Sequence, residues 1–300
     1  MEVRSSTINA FFQNLETVFN KAYTEAQPEW NQVAMMIESS GESNVYGWME
    51  QLPGVRQWIG DRTFVNLKSN GYTLTNDDYE ESILIKRNAI DDDTKGVYVP
   101  LTQQMAYNFA YHPDTQVFAL LQNGFSDNAW DAQAFFSADH TLRTDQNGAA
   151  VTFTNSTNVA LSGPNFQTVR AALRRNLQGG DNPFMGPLEF TLVVPPELET
   201  TARQILEAEF DDLGQTNVNR GMATVLVTSQ ITTATYWFLL VTNNPVKPLI
   251  YQLRKRPYIH TPSATDESVV ETGHYKFMGD YRAAFGYGLP ILAYGSTGDA

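Results

Sequence analysis

The chain has 300 residues, enough for one large domain or two ordinary ones, and its 42% hydrophobic and 12% aromatic content describes a folded protein. Twenty lysines and arginines stand against 33 aspartates and glutamates, a net charge of −13 that repels phosphate backbones and excludes non-specific nucleic-acid binding through the average field. Cysteine is absent, which removes disulfides, thiolate metal sites and cysteine nucleophiles and leaves the redox compartment open.

The opening MEVRSSTINAFF lacks the basic and continuous apolar regions of a signal peptide. The longest apolar candidate, TYWFLLVT, is strand-sized and far short of the about 18 residues of a membrane span. Both features point to a soluble, cytoplasmic protein. The first element is an amphipathic helix over 6–25: Ile8, Phe11, Phe12, Leu15, Val18, Phe19 and Tyr23 recur at three- and four-residue spacing after Ser5, Ser6 and Thr7, and it ends before Pro28. That stripe requires a partner surface, from its own chain or from a neighbour. PEWNQVAMMIESS fits a short helix or a strand, and YGWMEQLPGVRQWIG, with two tryptophans and a Pro-Gly turn, reads as irregular and contact-rich.

Strand patterns follow. RTFVNLK (62–68) leads through Asn70-Gly71 into YTLT, and YEESILIKR (79–87) alternates, so 62–98 reads as a half-polar β-hairpin or meander. A ribbon of this kind is marginal alone and implies packing against another body. After the acidic turn NAIDDDTKG, Met105, Phe109, Val117, Leu120 and Leu121 mark a helix over 101–123 that Pro113 is expected to kink or divide. A second helix is capped by Ser162, has Pro164 near its first turn, carries Phe166, Val169, Leu173 and Leu177, and stops at Gly179-Gly180. From about 186 to 255 the order is strand, helix and three strands, a compact α+β unit whose helix is expected to bury Leu198, Ala202, Ile205, Leu206 and Phe210. The aromatic-rich tail ends as a β segment.

The candidate chemistry is sparse. Asp131, Asp139 and His140 in DAQAFFSADHT suggest a metal-dependent hydrolase, but no further ligand stands at a metal-binding offset, and a turn held by Asp139 and His140 is the simpler reading. Asp91-Asp92-Asp93 lacks the alternating acids and terminal Glu of a calcium loop. Arg170, Arg174 and Arg175 share one helix and read as a solvated face, as a nucleic-acid contact or as a site for a neighbour's acidic edge, while RKRP (254–257) fits ion pairing at an interface. No phosphate loop, dinucleotide fingerprint or nucleophile elbow is present. The residues therefore imply no cofactor, no metal and no enzyme.

Four blocks in order carry more information than any of these: YGWMEQLPGVRQWIGDR, LTNDDYEESILIKRNAIDDDTKGVY, YHPD with LLQNG, and DAQAFFSADHT. From Tyr46 to Thr141 the chain resembles the Mu-like prophage major head subunit family; Ala132 stands where a glycine after the aspartate is common in that family, and Thr141 where proline often follows the histidine. The resemblance implies an α+β tailed-phage major capsid fold, like that named after the Hong Kong ninety-seven phage. Residues 1–60 become an N-terminal arm region, 61–98 the E-loop hairpin, 99–185 a P-domain with a spine helix, 186–255 an A-domain, and 256–300 a return to the P-domain. It further implies hexamers and pentamers of an icosahedral shell that encloses double-stranded DNA without reading its sequence. The partners are then a scaffold-protease, a portal and decoration proteins, with assembly in the host cytoplasm. Candidate contacts between subunits are Trp48, Trp58, Arg62, Tyr72, Tyr79, Lys86, Arg87 and Asp92; Lys68 and Lys86 are the hairpin lysines that a covalent crosslink would use. Met1 at the start implies that no long scaffold segment is removed from this chain. An encapsulin-like compartment shell is the alternative on the same fold.

Overall fold

The computed structural model describes residues 5–47, 71–91, 96–144, 150–178, 186–211, 214–263 and 267–299. In chain order the elements are α1 (Ser5–Glu25), α2 (Trp30–Val33), β1 (Ala34–Glu38), β2 (Ser43–Tyr46), β3 (Tyr72–Thr75), β4 (Asp77–Lys86), α3 (Arg87–Asp91) and α4 (Tyr98–Asn123). There follow β5 (His140–Thr144), β6 (Ala150–Phe153), β7 (Ser156–Thr157), α5 (Gly163–Gln178), β8 (Phe190–Val194) and α6 (Glu199–Leu206). The last are β9 (Thr224–Val227), β10 (Trp237–Val241), β11 (Leu249–His260), α7 (Glu267–Thr272), β12 (His274–Tyr287) and β13 (Ala293–Ser296). They form a four-stranded sheet in the order β1-β11-β12-β4, a five-stranded sheet in the order β7-β13-β10-β8-β9, and two small ribbons, β2–β3 and β5–β6.

The α1 stripe finds its partner in its own chain. Ile8, Phe12, Leu15 and Phe19 are buried with Tyr275 and Phe277 of β12 and with Met105 and Phe109 of α4. At about 1.5–3 kcal/mol for each large apolar side chain buried, this face holds α1 against the four-stranded sheet. Gly279 on β12 lets α4 come close, because a Cβ there would meet the Phe109 ring at 2.7 Å. About two turns further along, α4 changes sheets: Val117, Phe118 and Leu121 pack with Val193, Leu226, Phe238 and Leu240 of the five-stranded sheet. The opposite face of that sheet is covered by α5 and α6 through Leu173, Leu177, Ala202 and Leu206 on Leu192, Val194, Trp237 and Leu239. Burial on both faces explains why β8 and β10 read as unbroken apolar runs rather than alternating ones.

The segment 29–38 is both things its sequence allows: α2 passes directly into β1. Although only four residues long, α2 is clamped at each end by charge of the sign its backbone favours. The Asp114 carboxylate accepts the N–H groups of Glu29 at 3.1 Å and Trp30 at 2.7 Å, and the Lys247 ammonium donates to the carbonyls of Asn31 and Gln32.

Four expectations change. Strand β4 pairs along its length with β12, from Asp77↔Ala283 to Lys86↔His274, and β3 pairs with β2, so 72–87 packs within its own chain; the expected first hairpin strand, 62–68, lies outside the described residues. The α4 helix is undivided across Pro113, whose ring is buried. The α6 helix stops at Leu206, because the Asn217 side chain takes the carbonyls of Gln204, Ile205 and Ala208, and Phe210 is exposed instead of buried. Finally, β11 leaves the 186–255 unit and joins the other sheet, with β1 parallel on one side and β12 antiparallel on the other.

Candidate functional site

The Asp131–Thr141 stretch sits where the end of α4 meets both sheets. His140 is 1% exposed, and each ring nitrogen faces an oxygen: Nδ1 the Asp131 carboxylate at 2.6 Å, Nε2 the Phe135 carbonyl at 3.1 Å. The ring is thereby held from two sides. The ring also stacks on Phe153, with centroids 4.9 Å apart. Asp139 takes no part in this: its side chain is exposed, and only its backbone N–H is engaged, donating to Ser137 Oγ at 3.3 Å. The acid that organises the turn is therefore Asp131, nine residues before the histidine. Nor is there a third ligand, since no group of three or more His, Asp or Glu side chains able to hold a metal occurs among the described residues. The geometry suits a fastener and supplies no reacting site.

Phe135 and Phe136 anchor the stretch in the core. Phe135 stacks on Tyr287 of β12 at 4.6 Å and Phe136 on Phe238 of β10 at 5.4 Å, while Gly295 on β13 leaves room for the Phe136 ring, which a Cβ would meet at 2.8 Å. Tyr287 donates to the Leu120 carbonyl at the end of α4, at 2.9 Å. Asn155 completes the junction, and its sequence context, a polar stretch of threonines and asparagines, carries no signal of the role. Fully buried, it donates to the carbonyls of Phe135 at 2.8 Å and Pro290 at 3.0 Å and accepts the Ser137 N–H at 2.8 Å.

The YHPD block makes three separate attachments. His112 lies in an aromatic nest with Tyr79 and Tyr281, its Nδ1 against the Tyr281 hydroxyl, and burial pushes its pKa down. Pro113 is buried, and Asp114 caps α2. Burial pushes the Asp114 carboxyl up despite the two backbone donors, and Glu29 is raised by burial and by the neighbouring Asp114 charge.

A second polar network joins the β2–β3 ribbon to the four-stranded sheet. Tyr46 donates to Gln252 Oε1 at 2.6 Å, the Gln252 amide donates to Asn76 Oδ1 at 2.7 Å, and the Asn76 amide donates to Ser39 Oγ and to the carbonyls of Gly41 and Glu42. The four side chains, of Tyr46, Gln252, Asn76 and Ser39, are all buried and partnered, the condition under which such a network specifies one arrangement.

Of the residues expected at subunit contacts, Trp48, Trp58, Arg62 and Asp92 lie outside the described residues, as does Lys68. Tyr72 and Tyr79 turn into their own chain: the Tyr72 hydroxyl accepts the Tyr287 N–H at 3.2 Å, and Tyr79 stacks on Tyr281 at 5.0 Å. Lys86 and Arg87 are exposed at the end of β4.

A long helix bridging two sheets defines a class when set beside known folds. The chain aligns over 95% of its length with a subunit of the Pyrococcus furiosus virus-like particle at TM-score 0.53 and 11% identity, covering 99% of that chain, a likeness of fold alone. With the procapsid of bacteriophage JBD30 the TM-score is 0.63 at 28% identity, covering 98% of this chain and 76% of that one. The fold is that of tailed-phage major capsid proteins. The model of the Mu-like prophage major head subunit gpT family matches residues 8–167, 156–231 and 229–299, and the chain belongs to that family. It is 33% identical over 157 residues to the major capsid protein of Escherichia phage Mu, a match spanning 52% of this chain and 52% of the Mu protein. It is 27% identical over 300 residues to the Mu-like prophage FluMu major head subunit of Haemophilus influenzae, spanning 99% of this chain and 75% of that protein.

Proposed function

We propose that this chain is a shell subunit that assembles with copies of itself into an icosahedral phage head around double-stranded DNA. The observation that carries the reading is the family match over nearly the whole chain on a capsid fold. The role in this reading is mechanical: the acid–histidine pair of the junction, Asp131 with His140, has both ring nitrogens occupied. A net charge of −13 suits an inner surface that must not trap DNA. Many moderate contacts between copies add up through multivalency without any one being tight. In this reading the four-stranded sheet with α1 and the spine helix α4 is the P-domain, and the five-stranded sheet with α5 and α6 is the A-domain. The virion is its destination and the host cytoplasm its place of assembly, with scaffold-protease, portal and decoration proteins as partners.

Expression of the full chain followed by sedimentation and electron microscopy tests the proposal. Closed particles in the megadalton range are the expected result; a chain that stays at 33.6 kDa at high concentration sinks it.

A further inference from the structure

After α6, residues 207–211 and 214–222 are bonded back to their own lobe as a knob. Asn217, buried at its base, donates to the carbonyls of Ile205 at 2.9 Å and Ala208 at 3.0 Å, its Oδ1 accepts the Asn219 N–H at 2.9 Å, and Gly221 N–H donates to Leu206 O at 2.9 Å. Phe210 and Thr216 form a short antiparallel bridge. All this bonding holds apolar side chains out in solvent: Phe210 is 56% exposed, Val218 68% and Met222 40%. Phe210 stands between two exposed acids, Glu209 and Asp211. With its backbone bridged to Thr216, Phe210 has little conformational freedom left to lose on docking, which is the condition for an anchor residue.

The same lobe carries a surface of opposite charge. Arg170, Arg174 and Arg175 lie on α5, and none makes an ion pair among the described residues, whereas Arg203, Lys255, Arg256 and Arg282 each reach a carboxylate. Arg170 lies over the Phe190 ring at 5.2 Å with its Nε buried and without an acceptor. Burial and the neighbouring Arg174 push its pKa down. Like charges at i and i+4 destabilise a helix, so this face is costly to keep in a free subunit. Gln167 of α5 donates to Asn219 at the base of the knob at 2.9 Å, so both surfaces are tied into one lobe.

We propose that the Glu209–Phe210–Asp211 knob of one copy docks on the Arg170–Arg174–Arg175 face of a second copy, head to tail. The inference rests on the self-assembly reading and names a contact for it. Charge complementarity selects the occupant: a strongly acidic chain offers its copies acids, and an exposed phenylalanine between two carboxylates matches guanidinium groups both as counter-charge and as a stacking face. Because the contact joins two different surfaces, it runs on from copy to copy, as a ring where the rotation closes and as an open chain where it does not, instead of closing as a two-fold pair.

The test uses the full chain with Glu209→Arg, Arg174→Glu, their combination, and Phe210→Ala, read by sedimentation for assembled species and by thermal melting of the unassembled subunit. All three positions are exposed, so melting should be unchanged for Glu209→Arg and Phe210→Ala and no lower for Arg174→Glu, which replaces a like-charge pair with Arg170 by an opposite-charge one. Each single variant should lower the assembled fraction about tenfold, and the charge-swapped combination should restore it. Singles that assemble like the wild type, or a swap that restores nothing, overturn the contact. Normal assembly by Arg174→Glu together with loss of co-purifying nucleic acid also overturns it and assigns the arginines to phosphate. Wild-type rings that never close into particles, and that the singles break, uphold the contact while sinking the shell reading. A wild type that stays monomeric throughout overturns both.

Discussion

Ala132 holds φ at 62°, in the left-handed region where a Cβ is penalised by about 1–2 kcal/mol and glycine is not. The strain sits in the turn that brings Asp131 back to His140, and the family resemblance marks the same place as one where glycine is common. Replacing Ala132 by Gly should raise stability by about 0.5–1 kcal/mol after the greater freedom of the unfolded chain is subtracted, measurable by urea unfolding of the subunit. His140→Ala should do the reverse, lowering stability by about 3 kcal/mol, because it strips donors from the Asp131 carboxylate and the Phe135 carbonyl and opens a void beside Phe153. At this scale the importance of the stretch was legible, and so was a fastening histidine. Its partner was not: Asp139 is adjacent in the chain, but the backbone turns its side chain outward, and only a reversal through Ala132 brings Asp131 within reach. Asn155 left no trace in the pattern, since its role depends on three backbone groups brought together from 135, 137 and 290.

Between elements, the short α2 depends on side chains far from it in sequence. Asp114→Ala should lower stability by about 1–3 kcal/mol by leaving the Glu29 and Trp30 N–H groups without their acceptor, and it should loosen the connection from α1 into β1. Hydrogen exchange at residues 29–33 would detect this; unchanged protection there would contradict the clamp. Acid should act at His112 and not at Asp114. Burial holds His112 below the ordinary histidine value of 6.5, so its contribution to stability is whole above that value and is lost as pH falls through the lower folded one. Burial holds Asp114 above its ordinary range, so its contribution is present at low pH and fades only as pH rises. The neutral His112→Gln should therefore show a shallower fall in stability between pH 7 and pH 5 than the wild type, followed by urea midpoints; equal slopes would remove His112 as the cause. The helix stripes of α1, α4 and α5 were readable because 3.6-residue periodicity reports a buried face directly. The end of α6 was not, because Asn217 supplies its cap from beyond the loop.

For the whole molecule, charge sets two opposing tendencies. Copies at −13 repel one another through their average field, while the arginine face and the acidic knob attract locally. The screening length is about 10 Å at 0.1 M salt and about 3 Å at 1 M, so added salt first relieves the long-range repulsion and then weakens the contact. The assembled fraction, followed by light scattering, should accordingly pass through a maximum at intermediate salt; a monotonic rise would mean that the contacts are apolar throughout. By itself, the sequence determined the family, the α+β class and the helices with regular stripes, because each is encoded in local spacing or in motif order. Only the tertiary structure decided which strands pair, that α1 and the 72–87 segment pack on their own chain, that Asp131 rather than Asp139 holds His140, and that Phe210 faces solvent. Those outcomes depend on contacts that chain order does not announce, from nine residues apart to more than two hundred, where competing partners look alike in sequence and differ only in whether burial and hydrogen bonding can be satisfied together.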